Sequence, residues 1–426
     1  MNTTRRTFIQ SAGACALGTT AISLAPRLSG APVLGAKNAV KPTLIAVYLR
    51  GGADALSAIV PYADKKYPKL RPTLAIPGPD AKGTDHALPL DDQFGFNPNM
   101  SALHELYKNG LCVPIVCVGS PHPTRSHFDA QDFMERGAPG LKMIGTGWLN
   151  RYLSDTRTAR DANLRAISLQ SLLPRSLRGE FPVLAKPEQN AELAMQVYSQ
   201  LYPHQDNMPK RPTGNVVGSQ TKAEIVEFGA RTIDQLWELN AILKESPPPA
   251  AKYPNSGFAR ELRDVAKVIK ANRGLEVTAI DYGGWDHHTD EGPLDGQMAR
   301  MLGDVSNSLG AFVEDLGPNL MENVLVLVMS EFGRQVQENG NKGCDHGHGG
   351  FMLAVGRRLN GKKVYGRWEG LDDGHLYERR DLAVTTDFRV VFAETLQGLY
   401  KFDGIKQKLF PEYTPSSKPL EFLKTG

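Results

Sequence analysis

A ten-residue segment in the second half of the chain is dense in side chains that bind metal ions. Asp281–Asp290 contains three carboxylates and two adjacent imidazoles, His287 and His288. Carboxylate oxygens and imidazole nitrogens together are typical ligands of Zn²⁺, Mn²⁺ and similar cations. The segment directly follows a short apolar run, Leu275–Ile280. We therefore predict a metal site where a buried strand ends.

A second polar segment, which has two parts, supplies the same kinds of side chain. Glu331 follows the apolar run Val324–Met329, and Gly343–Gly350 contains Asp345 and two imidazoles, with Cys344 as a further possible ligand. The alternative is a glycine-rich turn with incidental histidines. Six of the ten histidines fall in the polar segments, and this concentration favours a site. They are His122, His127, His287, His288, His346 and His348.

The segment His122–Asp129 brings a hydroxyl, a guanidinium and an imidazole together before a helical pattern. Arg125, Ser126 and His127 are consecutive, and Thr124 offers a second hydroxyl. Backbone N–H groups at a helix start stabilise negative charge, so the segment predicts a nucleophile beside an oxyanion site. The alternative is a capped helix start with a surface arginine.

A fourth polar segment, Arg50–Leu56, follows the apolar run Thr43–Leu49. Gly51 and Gly52 permit a sharp turn at the strand end, which would direct Asp54 toward a ligand. Asp54 could equally cap the next helix, because aspartate is a common N-cap residue.

The apolar runs that precede these segments predict the elements that position them. They are rich in Val, Ile and Leu with little alternation, as in strands that are covered on both faces. In such parallel sheets, ligands bind beyond the carboxyl ends of the strands, so the four segments are expected to meet. The runs are Thr43–Leu49, Cys112–Val118, Leu275–Ile280, Val324–Met329 and Phe351–Val355.

Helical patterns separate the predicted strands. Apolar residues recur every three or four positions over 258–269 and over 294–316, where Gly317-Pro318 ends the pattern, and a long helix is predicted over 221–244. Strands that alternate with helices indicate an α/β fold with a mostly parallel sheet. The segment from about 185 to 255 has no clear strand and is interpreted as a helical insertion in a domain over 40–426.

The first 31 residues read as a twin-arginine export signal. Arg5-Arg6 precedes a short, weakly apolar stretch and the small residues Ser29-Gly30-Ala31. The whole chain has 49 basic and 46 acidic residues; since 1–31 hold three arginines and no acid, the remainder has 46 of each. We predict a periplasmic or secreted protein with no membrane span after cleavage, and the neutral balance does not indicate a nucleic-acid partner.

Cysteines do not indicate a disulfide scaffold. Cys112 and Cys117 lie in one predicted strand, five residues and about 16 Å apart, where strict alternation would place them on opposite faces. They are therefore too far apart to bridge each other.

The polar motifs, in their order along the chain, resemble the bacterial, twin-arginine-exported family known as domain of unknown function 1501. The motifs are Gly51-Gly52-x-Asp54, Arg125-Ser126-His127-Phe128, Gly283-Gly284-Trp285-Asp286-x-His288, Ser330-Glu331-Phe332-Gly333-Arg334 and Asp345-His346. This family is grouped with the alkaline phosphatase and sulfatase superfamily. The resemblance implies a three-layer α/β/α sandwich, two divalent metal ions at strand ends, and a Ser, Thr or modified Cys nucleophile that acts on phosphate or sulfate esters.

The resemblance also implies a ligand set. Asp54 matches the acid after the first strand, Asp286 and His288 resemble an Asp and His pair, and His346 resembles the last histidine ligand. Glu331 stands where the superfamily has an Asp-His dipeptide, with Phe332 in place of the histidine. The cation expected at this site is divalent, namely Zn²⁺, Mn²⁺, Mg²⁺ or Ca²⁺.

These inferences lead to an expected function with alternatives. The first hypothesis is a metal-dependent hydrolase of phosphate or sulfate esters, with a small-molecule or polymer substrate. Ser126 or Thr124 would be the nucleophile, Arg125 would stabilise the charged oxygens, and His127 or His122 would hold the substrate or transfer a proton. The alternatives are a non-catalytic binding or scaffold protein on the same fold, and a metal enzyme of different chemistry. No glycine-rich motif predicts a nucleotide.

Overall fold

The computed structural model describes residues 41–158, 161–186, 222–404, 409–414 and 418–424. The predicted export signal and residues 187–221 of the predicted insertion lie outside these ranges. Within the described part of the insertion, the expected long helix is present over Lys222–Glu245. No helix among the described residues is long and apolar enough to cross a membrane.

Strands form one large sheet and one small sheet. In the large sheet the strand order is β11-β5-β10-β9-β1-β8-β6-β7, and in the small one it is β2-β4-β3. Every pairing in the large sheet is parallel except those of β10, which runs antiparallel to β5 and β9. The strands are β1 Thr43–Arg50, β2 Ile59–Val60, β3 Leu88–Pro89, β4 Gly95–Phe96, β5 Cys112–Gly119, β6 Ala166–Ser168, β7 Leu184–Ala185, β8 Val277–Gly283, β9 Val324–Ser330, β10 Gly350–Gly356 and β11 Thr386–Asp387.

Helices cover both faces of the large sheet. Alternate residues of β1 enter two different cores: Ile45 and Val47 pack with α7 and α8, whereas Leu44 and Ala46 pack with α5 and α9. The expected three-layer α/β/α sandwich is confirmed. The helices are α1 Ala55–Ala58, α2 Tyr67–Leu70, α3 Ser101–Lys108, α4 His127–Arg136, α5 Trp148–Asp155, α6 Lys222–Glu245, α7 Gly257–Lys270, α8 Gln297–Met321 and α9 Phe388–Tyr400.

Sequence patterns located these elements closely, with two differences. The backbone of α8 breaks at Gly317 as expected, but one further helical turn follows as far as Met321. Cys112 and Cys117 face the same core, not opposite ones. Cys117 has a φ of 53° at a β-bulge opposite the Gly350/Phe351 step, and one extra residue reverses the alternation of side chains. Both cysteines are free, as the sequence predicts.

Candidate metal centre

Four polar segments meet at one edge of the large sheet. His127 begins α4 after β5, Asp286 and His288 follow β8, Glu331 follows β9, and His346 lies just before β10. Because β5, β8 and β9 are parallel, their carboxyl ends share this edge, and the antiparallel β10 begins there. The sheet topology therefore brings together residues that are more than 200 positions apart in the chain.

Three imidazoles and one carboxylate lie close together, with His346 at their centre; we call His127, Asp286, His288 and His346 the imidazole cluster. The Nε2 of His346 lies 2.9 Å from the Nε2 of both other histidines. Asp286 Oδ1 lies 3.2 Å from His346 Nε2, 3.4 Å from His127 Nε2 and 3.0 Å from His288 Nε2. Ligand atoms around a tetrahedral Zn²⁺ are about 3.3 Å apart, so these spacings suit a metal ion.

The opposite nitrogen of each imidazole is held by an oxygen acceptor. His127 Nδ1 lies 2.8 Å from Glu331 Oε1, and His288 Nδ1 lies 3.0 Å from Asp345 Oδ1. His346 Nδ1 lies 2.8 Å from the backbone carbonyl of Arg125. Each acceptor requires a proton on Nδ1, so each neutral ring directs the Nε2 lone pair into the cluster, as metal-binding histidines do.

Close contacts between imidazole nitrogens need a proton or a cation between them. Burial would lower the pKa of His127, but its hydrogen bond to Glu331 and the charge of Asp286 raise the pKa overall. A proton on His127 Nε2 would satisfy the contact with His346, but His288 Nε2 would still face that same nitrogen. Burial lowers the pKa of His346, which favours its neutral form. The ligand atoms of His127, Asp286 and His346 all lie within 4.8 Å of one another, so a cation between these three would take the place of such a proton. His288 lies outside this group of three but contacts two of its members.

Asp286 enters the cluster as a carboxylate because Arg334 neutralises it. Burial would raise the pKa of Asp286, but the guanidinium of Arg334, 2.6 Å from Oδ1, lowers the pKa to about 2. Arg334 is buried and also donates to backbone carbonyls, among them those of Gly52 at 2.6 Å and Cys344 at 2.9 Å. Sequence reasoning assigned no role to Arg334, although it closes the Ser-Glu-Phe-Gly-Arg motif.

The two glycines after β1 let the backbone approach this loop. Gly51 has a φ of +122° and Gly52 a φ of +64°, conformations that L side chains rarely adopt. A Cβ on Gly51 would also lie 2.6 Å from the backbone nitrogen of Asp286. The sharp turn that the sequence predicts is therefore confirmed, and it allows β1 and the β8 loop to touch.

Glu331 orients His127 and is placed behind the imidazole cluster. Its Oε1 accepts from Gly51 N and Gln131 Nε2, both at 2.9 Å, as well as from His127 Nδ1, and its Oε2 accepts from Ser330 Oγ at 3.1 Å. These donors leave Glu331 committed to orienting its neighbours. Its role as a direct ligand stays a prediction, while His127, expected to act in catalysis, lies among the candidate ligands.

The predicted nucleophile lies beside the cluster. Ser126 is exposed, is the N-cap residue of α4, and makes no capping bond with its side chain. Thr124 Oγ1 accepts from the Ser126 backbone N–H at 3.2 Å. The Arg125 guanidinium is held by Asp381 and Glu378, each at 2.6 Å from Nη2. The structure thus ties Arg125 to carboxylates and leaves Ser126 available.

Asp54 does not join the imidazole cluster. It is buried and accepts hydrogen bonds from both terminal nitrogens of Arg71. It also caps α1 by accepting a hydrogen bond from the backbone N–H of Ser57 at 2.9 Å. The capping alternative is therefore confirmed. Asp54 instead belongs to a second, buried group with Glu291 and Cys344, whose ligand atoms lie within 4.8 Å of one another. Asp54 and Asp286 thus belong to separate groups of potential ligands, and the role of Asp54 as a metal ligand stays a prediction.

The buried carboxyl of Glu291 makes the stability of the fold depend on pH. Burial raises the pKa of Glu291 to about 8, with a further contribution from the charge of Asp54. Between the ordinary carboxyl pKa and about 8, the folded protein keeps a proton that the unfolded chain releases, so the free energy of unfolding falls as pH rises. Between pH 5 and pH 8, we expect the free energy of unfolding to fall by on the order of a few kcal/mol less in Glu291→Gln than in the wild type.

Urea denaturation of both proteins at pH 5 and pH 8 measures this difference. Glu180→Gln is the matched control, because Glu180 is exposed. An equal pH dependence in the wild type and Glu291→Gln would show that Glu291 titrates normally.

The other histidines of the polar segments lie outside the imidazole cluster. His348 is buried and stacks on Tyr377, with ring centroids 4.3 Å apart. His287 stands between Asp286 and His288 in the sequence but is buried, and neither of its ring nitrogens has a hydrogen-bond partner among the described residues. His122 packs against Phe133 at 4.8 Å. Half of the six histidines that the sequence singles out therefore lie in the imidazole cluster.

The fold and the cluster define an α/β sandwich protein with a candidate metal centre at the carboxyl edge of its sheet. The family model described as "Protein of unknown function (DUF1501)" matches residues 116–410, and the chain belongs to this family. No curated protein matches the chain by sequence.

Solved structures with similar folds include three at low identity. The crystal structure of Ps i-CgsB is 12% identical, with a TM-score of 0.32, and the match covers 76% of this chain and 68% of that chain. BT1596, a 2-O GAG sulfatase, is 11% identical, with a TM-score of 0.32 and coverages of 89% and 76%. The C-terminal periplasmic domain of EcEptC from Escherichia coli, in complex with Zn, is 10% identical, with a TM-score of 0.29 and coverages of 74% and 74%.

Proposed function

We propose that this protein is an exported, divalent-metal-dependent hydrolase of phosphate or sulfate esters. The observation that carries the proposal is the imidazole cluster, in which His127, Asp286 and His346 have ligand atoms within 4.8 Å of one another and His288 adjoins two of them. Orienting acceptors on every Nδ1 are the usual support of metal-binding histidines. The export signal and a periplasmic or secreted location are part of this proposal.

Access to the cluster favours catalysis over a purely structural metal site. The Asp286 side chain is 46% exposed and that of His288 is 42% exposed. Structural zinc sites are closed by four protein ligands, whereas catalytic sites leave a position open to solvent or substrate. A bound divalent cation supplies Lewis-acid polarisation of an ester oxygen.

The residues around the cluster could complete a hydrolytic site. Ser126 presents an exposed hydroxyl one residue before His127. The first backbone N–H groups of α4, a helix of ten residues, lie at the end of the helix that carries Ser126. These groups stabilise negative charge that develops there. In this proposal Ser126 attacks the ester or holds the attacking water, and Thr124 is its substitute.

A non-catalytic binding protein is the second candidate, and a specific observation favours it. No described residue accepts a hydrogen bond from the Ser126 hydroxyl, so no base is in place to activate it. Arg125 is engaged by Asp381 and Glu378 rather than directed to an open space. A metal ion held at the cluster would then support binding without turnover.

Turnover by the metal-loaded protein distinguishes the two candidates. Protein stripped with a chelator would be reloaded with Zn²⁺, Mn²⁺, Mg²⁺ or Ca²⁺ and assayed on 4-nitrophenyl phosphate and 4-nitrophenyl sulfate. We expect metal-dependent hydrolysis that falls at least about 100-fold in Asp286→Asn, since the ligand carboxylate is lost.

Two further variants test the nucleophile. A loss of turnover in Ser126→Ala with unchanged metal content supports attack by Ser126, whereas a loss in Thr124→Val supports its substitute. Metal binding without hydrolysis of either ester would favour the binding protein.

A further inference from the structure

A cationic cavity of about 970 Å³ lies at the end of the sheet opposite the imidazole cluster. It is formed where β5 begins and β10 ends, next to Leu111 and Leu359. The imidazole cluster lies where β5 ends and β10 begins, so the two sites are separated by the length of these strands. The charged groups of the lining are Arg357, Lys362, Lys363, Lys424 and Glu421.

Positive charge dominates this lining. Four cations face one carboxylate, and Glu322 pairs with Arg357 at 2.7 Å, which leaves a local balance of +2. Lys362 has no ion-pair partner among the described residues, and Lys363 places its Nζ 4.9 Å from the ring centroid of Tyr365. The chain beyond residue 31 has no net charge, so this concentration is local. Concave surfaces that carry one sign of charge attract ions of the other sign.

The backbone adds donors to the same wall. Lys362 has a φ of +60°, and the amides of Gly361, Lys362 and Lys363 donate no hydrogen bond within the described ranges. A Cβ on Gly361 would lie 2.4 Å from the Cα of Gly110, so this turn packs tightly against the loop before β5. Successive free amides in such a turn form a concave nest that binds oxyanions.

We propose that this cavity binds a tetrahedral oxyanion, the phosphate or sulfate group of a ligand, through the Gly361–Lys363 turn and the ammonium groups of Lys362 and Lys363. Arg357 and Lys424 surround the same space and add positive charge. Ammonium groups and backbone amides are strong donors to phosphate oxygens. The site is independent of the imidazole cluster and does not require a metal ion.

Calorimetric titration with inorganic phosphate and inorganic sulfate, against sodium chloride at matched ionic strength, tests the site. The protein is stripped with a chelator, so that an anion cannot bind through a metal ion. We expect saturable binding that weakens about tenfold or more in the double variant Lys362→Gly with Lys363→Ser, because two charged donors are lost. Glycine suits the left-handed conformation at position 362, so the variant should fold.

Lys65→Ser with Lys69→Ser is the matched control, since both lysines are exposed and lie outside the cavity. Co-sedimentation with phosphatidylglycerol vesicles identifies the source of the anion. Vesicle binding that is lost in the cavity variant indicates a lipid headgroup, and binding of the free ions alone indicates a soluble ligand. Equal affinities of the cavity variant and the wild type, or no saturable binding by the wild type, would overturn the proposal.

Discussion

Replacing His346 by alanine is expected to weaken metal binding at least about 100-fold, because a direct ligand is lost. Its Nε2 lies 2.9 Å from both other imidazoles and 3.2 Å from Asp286, so it contacts every other member of the cluster. Glu331→Gln should weaken binding less, by about 10- to 100-fold, because Glu331 only orients His127. Competition against a chromophoric chelator, with elemental analysis of the purified proteins, measures both effects.

The control for this experiment is His375→Ala, which removes an exposed imidazole outside the cluster. Circular dichroism of each variant separates the loss of a ligand from the loss of the fold. If His346→Ala and His375→Ala bound metal equally well, the imidazole cluster would not be a metal site. If Glu331→Gln lost as much affinity as His346→Ala, Glu331 would itself be a ligand, as the sequence predicts.

The general position of the site could be predicted because strand ends are visible in the sequence. The apolar runs that end before Arg50, Asp281 and Ser330 are continuous and buried, and parallel strands place their carboxyl ends on one edge. A side chain directly after such a run must therefore lie near this edge. This reasoning placed Asp286 and His288 at the edge without any knowledge of side-chain positions. His346 instead precedes β10, and it lies at the same edge because β10 runs antiparallel to its neighbours.

The division between direct ligands and supporting residues could not be predicted in the same way. Glu331 and Asp286 are both carboxylates after buried strands, but Glu331 is buried under its own donors, whereas Asp286 reaches the cluster. The difference depends on which donors from distant segments the folded chain places beside each carboxylate. Gly51 and Gln131 reach Glu331 from 280 and 200 residues away.

Asp54 is a second residue whose partners could not be predicted from its position in the sequence. Its place after β1 is that of a ligand, but Arg71 lies 17 residues later and binds both of its oxygens in a buried pair. A cation at Asp54 would have to compete with this guanidinium. No pattern in the sequence marks Arg71 as its partner, because arginines are mostly exposed and the α2 region that carries it has no strong periodicity.

Arg334→Met is expected to lower the free energy of unfolding by about 3–5 kcal/mol, because a buried guanidinium that donates to four backbone carbonyls is removed. Arg334 is 2% exposed and donates to Asp286 and to the backbone carbonyls of Gly51, Gly52, Trp285 and Cys344. Methionine fills much of the same volume but donates no hydrogen bond, so these acceptors would be buried without partners. The loops that contain these acceptors also carry members of the imidazole cluster.

Urea denaturation in the presence of a chelator measures this effect, because metal binding would otherwise add its own stabilisation to the folded state. Arg367→Met is the control: Arg367 is 74% exposed, pairs with Glu369 at 3.0 Å, and should change stability by less than about 1 kcal/mol. Arg334→Lys should be intermediate, since lysine keeps the charge but not the planar fork that reaches several carbonyls. If Arg334→Met were as stable as Arg367→Met, the loops that hold Asp286 and His346 would have to be positioned without the hydrogen bonds of Arg334.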